Sequence, residues 1–412
     1  MSAFPYVSRL PFAALRLSPP ICYNAAAMLQ IGEVTDAAGL AALRDDWQSL
    51  AERSPHTTLF QTWEWQSVWW QHCGSGRLWV LTARSQGALV GLAPLYRAPY
   101  FGLPLRRVAF LGTGASDYLD FIALPEQAEA CRDQFLAYLA AHRGRWDLVD
   151  FQQLREGTPL SRAALPKGLS GRTLAQEVCP YVPLPEEWEE FAARLGKKLR
   201  SNIGYYRRRL SREFEVTWET VSNGELPGAM EDLFRLHQKR WRKRRLPGAF
   251  AHPRTRRFHE AVAQACLDRG WLRLHRLRLD GETRAALYCF DYHNKGYYYL
   301  GGFEPSFSHY SLGTVLTAHA IEDAIARGAR EFDFLRGNEP YKYTWKPSER
   351  RNLRLLLWKP SFPSCLTPAL NRAERAIERE AKRLARRLQG EPPPARAVQP
   401  GTDVPADENM AS

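Results

Sequence analysis

The sequence predicts an α/β (α+β) protein of two related domains, each a mixed, mostly antiparallel sheet flanked by helices. Two observations carry this reading. The order strand, two helices, three strands, helix, strand occurs twice along the 412 residues. Tight-turn dipeptides such as Asp280-Gly281 join neighbouring apolar runs, as antiparallel hairpins require.

Taken in order, residues 1–27 hold Arg9 and Arg16 but no acid, and read as a disordered or non-native extension. Leu29 to Val34 is a strand, and Asp36 caps a helix through about Glu52. Thr62 opens a second helix rich in tryptophan. Strands follow at Leu78–Ala83, Ala88–Leu95 and Arg106–Leu111. A helix from Glu126 to His142 and a strand Asp147–Phe151 close the first half. A basic helix, Trp188 to Glu213, links the halves. The second half repeats the order: strand Phe214–Thr220, helices near Gly228–Arg244 and Arg254–Arg269, and strands Trp271–Leu279, Ala285–Tyr292 and Gly296–Phe303. A helix from Ser311 to Arg327 and a strand Arg330–Arg336 complete it.

Charge and cysteine usage narrow the class. A net charge of +13 invites anionic partners. The seven cysteines include no CxxC pair, so neither zinc nor a disulfide framework is indicated, and reduced thiols fit a cytoplasmic setting. No apolar run approaches the ~20 residues of a membrane span. Residues 369–388 form a basic amphipathic pattern suited to an anionic membrane surface or to packing on the domain. Residues 389–412 are proline-rich and read as a disordered tail.

The stretch Tyr297 to Lys346 carries the most chemistry. A strand leads through a turn into the helix opened by Ser311, Leu312, Gly313 and Thr314. The first N–H groups of a helix lack partners and carry partial positive charge, which suits a pyrophosphate. Ser311 could cap the helix, and Gly313 would let a phosphate approach the backbone. An ordinary strand–turn–helix has the same pattern.

This succession continues with Phe332-Asp333-Phe334-Leu335-Arg336-Gly337, then Glu339-x-Tyr341-Lys342 and Trp345. It resembles the GNAT acyltransferases, and more closely the CelD-like branch tied to cellulose and exopolysaccharide biosynthesis, itself similar to Fem-type aminoacyltransferases. The resemblance covers roughly Leu29 to Trp358, with Lys197-Lys198-Leu199-Arg200-Ser201-Asn202-Ile203 matching a basic segment of the family. It implies tandem GNAT-like domains: 28–185 without an acyl-CoA loop, a basic linking helix 186–213, and an acyltransferase domain 214–360, followed by the helix 361–388. In the phosphate loop, Gly313 followed by Thr314 stands where many relatives carry a fuller glycine pattern.

The resemblance further implies an acyl-CoA, such as acetyl-CoA, as co-substrate, with no metal. Tyr299, Leu300 and Gly301 would align the pantetheine, and Ser311 to Thr314 would receive the pyrophosphate. Asp333 could act as general base, or be a structural acid paired with Arg336. Lys342 resembles the lysine that Fem-type enzymes use near the developing oxyanion, and a surface lysine is the plain alternative. Tyr341 could protonate the leaving thiolate or simply pack. Asp117, Asp120, Arg336 and Glu339 are candidates for the acceptor, a small molecule or glycan precursor. Specific nucleic-acid binding is not expected. The competing readings are Fem-like aminoacyl transfer to a peptidoglycan-type precursor and a non-catalytic binding protein on a degenerate fold.

Overall fold

The computed structural model describes residues 29–100, 103–222, 224–243 and 248–360. The expectations for 1–27, for the helix in 361–388 with its membrane contact, and for 389–412 lie outside the described residues.

The first half opens with β1 (Gln30–Val34), α1 (Ala37–Ala42), α2 (Arg44–Arg53) and α3 (Trp63–Cys73). Next come β2 (Arg77–Leu78), β3 (Val80–Ser85), β4 (Ala88–Ala93), β5 (Leu95–Tyr100) and β6 (Leu103–Phe110). After β7 (Ile122–Ala123) and α4 (Ala128–Ala141) come β8 (Leu148–Arg155) and the long β9 (Ser170–Pro183). The capping chemistry read from sequence is present: Asp36 Oδ1 accepts from Gly39 N at 2.7 Å, and Thr62 Oγ1 accepts from Trp65 N at 3.3 Å. The tryptophans of α3 serve the core. Trp65 is fully buried, and its Nε1 donates to Ser116 Oγ at 2.9 Å.

The basic link is two helices, α5 (Trp188–Arg194) and α6 (Lys197–Glu213), because Leu195 and Gly196 adopt extended backbone between them. The second half then runs through β10 (Val216–Thr220), α7 (Leu226–Lys243), α8 (Pro253–Asp268), β11 (Leu272–Leu279), β12 (Glu282–Tyr292) and β13 (Lys295–Phe303). It ends with α9 (Leu312–Ala326), β14 (Glu331–Asp333), the single turn α10 (Pro340–Tyr343) and β15 (Ser348–Trp358).

Among the described residues the strands form two sheets. A small one has the order β1-β3-β4-β7, and an eleven-stranded one runs β10-β11-β12-β13-β14-β9-β15-β8-β6-β5-β2. The expected strand Ala88–Leu95 breaks at Pro94, so that β4 enters the small sheet and β5 the large one. The last strand, β15, lies antiparallel between β8 and β9, so one sheet crosses both halves.

Alternation along β12 sorts its two faces. Tyr288 and Phe290 join the core that contains Phe234 of α7 and Phe258 of α8. Leu287 and Cys289 join the core built on α9. The expected strand Arg330–Arg336 shrinks to the three residues of β14. Leu335 (φ 57°) and Gly337 (φ 115°) turn the chain away, the latter in a region that favours glycine.

Candidate active site

β13 and β14 pair in parallel over only three positions, Lys295 to Tyr297 against Glu331 to Asp333. Beyond Tyr297 the two strands diverge. On its other side β13 stays paired to β12, with an irregularity that leaves Tyr299 unmatched between Tyr298 and Leu300. A cavity of about 680 Å³ fills the divergence, within the usual range for small-molecule sites. Tyr298, Tyr299, Leu300 and Gly301 form one wall, and Leu335, Arg336, Glu339, Tyr341 and Lys342 another. The first half contributes Thr113 to Ala115 and Asp117, and α7 and α8 supply His237, Arg240 and His259.

The structure thus brings Asp117, Tyr299, Leu300, Gly301, Arg336, Glu339, Tyr341 and Lys342 to one cavity, though they span both halves. Asp117 Oδ1 lies 3.0 Å from Arg336 Nε and accepts from the Arg336 backbone N–H at 3.3 Å. Arg336 Nη2 also donates to Gly114 O at 3.1 Å. Burial pushes the Asp117 carboxyl above its usual range, while Arg336 pulls it back. Tyr299 Oη donates to Ala115 O at 2.7 Å, another bond between the halves.

Lys342 is neither a surface lysine nor a free cation. It is 3% exposed, and its Nζ donates to the carbonyls of Leu335, Arg336 and Gly337 at 3.1, 2.8 and 3.3 Å. Glu339 Oε2 lies 3.0 Å away as well. Three ammonium protons therefore meet four acceptors in its own turn, which leaves none committed to a substrate oxyanion. Lys342 holds the turn that presents Arg336.

Asp333 does not line the cavity. It is fully buried and accepts from Tyr118 Oη at 2.8 Å and Leu335 N at 2.7 Å. Its ion-pair partner is Arg350 of β15 at 3.7 Å, not Arg336 as the sequence suggested. The alternation that turns Asp333 away from the Phe332 and Phe334 rings points it into the seam between the halves, not toward a ligand. Burial raises its pKa to about 6, against the pull of Arg350.

That shift has a definite sign. Stability linked to Asp333 is fully present below about pH 4, where folded and unfolded carboxyls are both protonated, and is lost as pH rises through about 6. The loss amounts to about 3 kcal/mol. Relative to wild type, Asp333→Asn should therefore gain stability between about pH 4 and pH 7. Urea unfolding of both proteins at the two pH values measures this, and equal pH slopes would refute it.

Asp120 belongs elsewhere. It faces a separate cavity of about 60 Å³ that also touches Arg132 and Arg155. Its Oδ1 accepts from Phe121 N at 2.7 Å, and burial pushes its pKa up to about 6. Asp117 and Asp120 are close in sequence but do not share a site.

The residues expected to receive pyrophosphate stand beyond the cavity. Ser311 is left-handed (φ 51°), and its side chain makes no capping bond, so the expected cap is absent. Leu312 is buried in the core beneath α9. Gly313 sits against Phe303, where an added Cβ would lie 3.3 Å from the ring. Arg240, which lines the cavity, has its guanidinium 4.8 Å from the centre of the same ring. Phe303 thus connects the cavity to the start of α9.

Sequence reasoning missed the roles of Tyr118 and Arg350 beside Asp333. No local pattern marks them, because each acquires its role from a distant element.

Residues 197–343 match the acetyltransferase (GNAT) domain family. The chain is similar in fold to the crystal structure of FemX, with a TM-score of 0.56 and 11% identity over 75% of this chain and 95% of that one. It is also similar to the C-terminal domain of a putative lysylphosphatidylglycerol synthetase from Agrobacterium fabrum: TM-score 0.51, 14% identity, 80% and 95% covered. A conserved protein of unknown function from Bacteroides thetaiotaomicron matches with a TM-score of 0.53 at 11% identity, over 81% and 100%. No curated protein matches the sequence. Residues 197–343 therefore carry a GNAT-type domain, within the mixed α/β architecture that the order of elements predicts. Among the described residues no group of three or more His, Cys, Asp or Glu could hold a metal, and no helix is long and apolar enough to cross a membrane.

Proposed function

We propose that the protein is an acyltransferase that takes an acyl group from acyl-CoA, acetyl-CoA being the simplest donor, and passes it to an amine or hydroxyl of a small-molecule or glycan-precursor acceptor of the cell envelope. The observation that carries this reading is the divergence of β13 from β14 beside the cavity. Among the described residues it leaves one backbone edge of Tyr298 to Gly301 without a strand partner. A pantetheine arm, with its two amides, satisfies such an edge as an added strand would.

In this reading the CoA phosphates lie toward Arg240, Phe303 and the first turn of α9, whose backbone N–H groups favour anions. The acceptor atom attacks the thioester carbon, the C–S bond breaks, the thiolate takes a proton from Tyr341 on the cavity wall, and the proton that the acceptor loses returns to the Tyr341 oxygen, directly or through solvent. Asp117 from the first half and Arg336 from the second, paired at 3.0 Å, orient the acceptor. A close-fitting cavity converts a bimolecular encounter into an oriented one, which supplies much of the rate.

Gly313→Asp tests the donor. The new carboxylate would meet Phe303 and place negative charge beside the helix start, so CoA affinity should fall about tenfold or more. Unchanged affinity by calorimetry would sink the assignment. A second reading, aminoacyl transfer from tRNA, draws on the fold likeness to the putative lysylphosphatidylglycerol synthetase domain and on the basic α6. Tight, saturable, strongly salt-dependent tRNA binding would favour it over acyl-CoA. We expect none.

A further inference from the structure

The cavity wall on the α7–α8 side carries two histidines that the donor reading does not use. His237 and His259 are each 2% exposed, and both line the cavity. Their rings flank Phe250, at 4.8 and 5.1 Å between centroids. In both, Nδ1 is enclosed and has no hydrogen-bond partner among the described residues.

An enclosed, unpartnered polar atom is costly, and native proteins keep few of them. An orphaned N–H is rarer than an orphaned acceptor. The proton therefore belongs on Nε2 in each ring, the nitrogen left to reach the cavity. Burial keeps both rings uncharged, with pKa values depressed to about 4 for His237 and about 3 for His259. Arg240 adds to this for the first, and His237 for the second.

Two neutral N–H donors on a wall that also holds Trp69, Tyr96 and Phe258 suit a ring bearing hydroxyls. A phosphate or carboxylate would gain more from cations than from neutral imidazoles. Lys342 spends its protons within its own turn, so these donors are not redundant with it.

We propose that His237 and His259 form a neutral hydrogen-bonding subsite for the acyl acceptor, taking hydroxyl oxygens of an uncharged, sugar-like ring packed on the aromatic wall. This rests on the acyltransferase reading and adds to it the residues that hold the acceptor's ring.

The test uses the full chain with ¹⁵N-labelled histidine, titrated with glucose, with and without CoA. Both rings should stay neutral with the proton on Nε2 between about pH 8 and 5, and glucose should shift both signals. His237→Leu and His259→Leu should each weaken glucose binding roughly threefold to tenfold. His237→Gln and His259→Gln, which keep an N–H near the Nε2 position, should retain it. All four should bind CoA as wild type does. A ring that protonates near its ordinary value, ring signals indifferent to glucose, or Leu variants equal to Gln variants would each overturn the subsite. If a Leu variant fails to fold, the wild-type ring signals still decide. Failure of CoA to bind wild type would count against the donor reading alone, because the glucose arm is read equally without it.

Discussion

Arg354→Leu should destabilise the protein by about 3–5 kcal/mol, a large part of the ~5–15 kcal/mol that holds a typical fold. Arg354 of β15 donates from Nε and Nη2 to the two oxygens of Asp150 on β8, at 2.6 and 2.8 Å. The side chains are 4% and 0% exposed. Removing the guanidinium leaves a carboxylate sealed from water. Among the described residues, only Gln152 Nε2 at 3.0 Å and Arg107 at 3.7 Å remain to meet it. A paired replacement, Arg354→Leu with Asp150→Leu, removes both charges and should recover much of the loss. Chemical denaturation of the two singles and the double closes the cycle. A single variant as stable as wild type would show that the pair adds nothing.

Lys342→Ala should lower turnover by ~100-fold or more, through misplacement rather than a lost oxyanion contact. It should also cost about 2–3 kcal/mol, because three carbonyls lose a charged donor. The two effects should appear together, since the same ammonium ties Leu335, Arg336 and Gly337 into the cavity wall. A lysine acting on the oxyanion predicts a different outcome, with activity lost at unchanged stability. Steady-state rates and unfolding of the same preparation separate the two. Stability intact with activity gone would restore the catalytic role for Lys342.

Much of this fold was legible because its signals are local. Asp36 and Thr62 mark helix starts by side-chain chemistry that needs no partner far away, and Asp280-Gly281 marks a hairpin that closes on itself. The strands β9 and β15 were not legible. Ser170 to Pro183 and Ser348 to Trp358 are strands because each lies against the other, Ser348 opposite Tyr181 and Trp358 opposite Ser170. Neither alternates cleanly enough to declare a buried face alone.

The site shows the same division. Tyr299, Leu300, Gly301, Arg336, Glu339 and Tyr341 could be grouped from sequence because they flank one strand pair, and they line one cavity. Asp333 was misplaced because strand alternation says which way a side chain points but not what waits there. What waits is Tyr118 and Arg350. Ser311 looked like a cap by residue type, yet its left-handed backbone carries the hydroxyl away from that role.

The position of β15 also bears on how the chain reaches its shape as it leaves the ribosome. β8 has β6 on one side and β9 has β14, but the facing edges of β8 and β9 are closed only when residues 348–358 have been made. Until then the nascent protein exposes two strand edges, the surfaces most prone to pairing with another chain. Contacts closed over such a span form slowly. The N-terminal half is therefore a vectorial folding problem: synthesised first, but completed only by the last strand of the sheet.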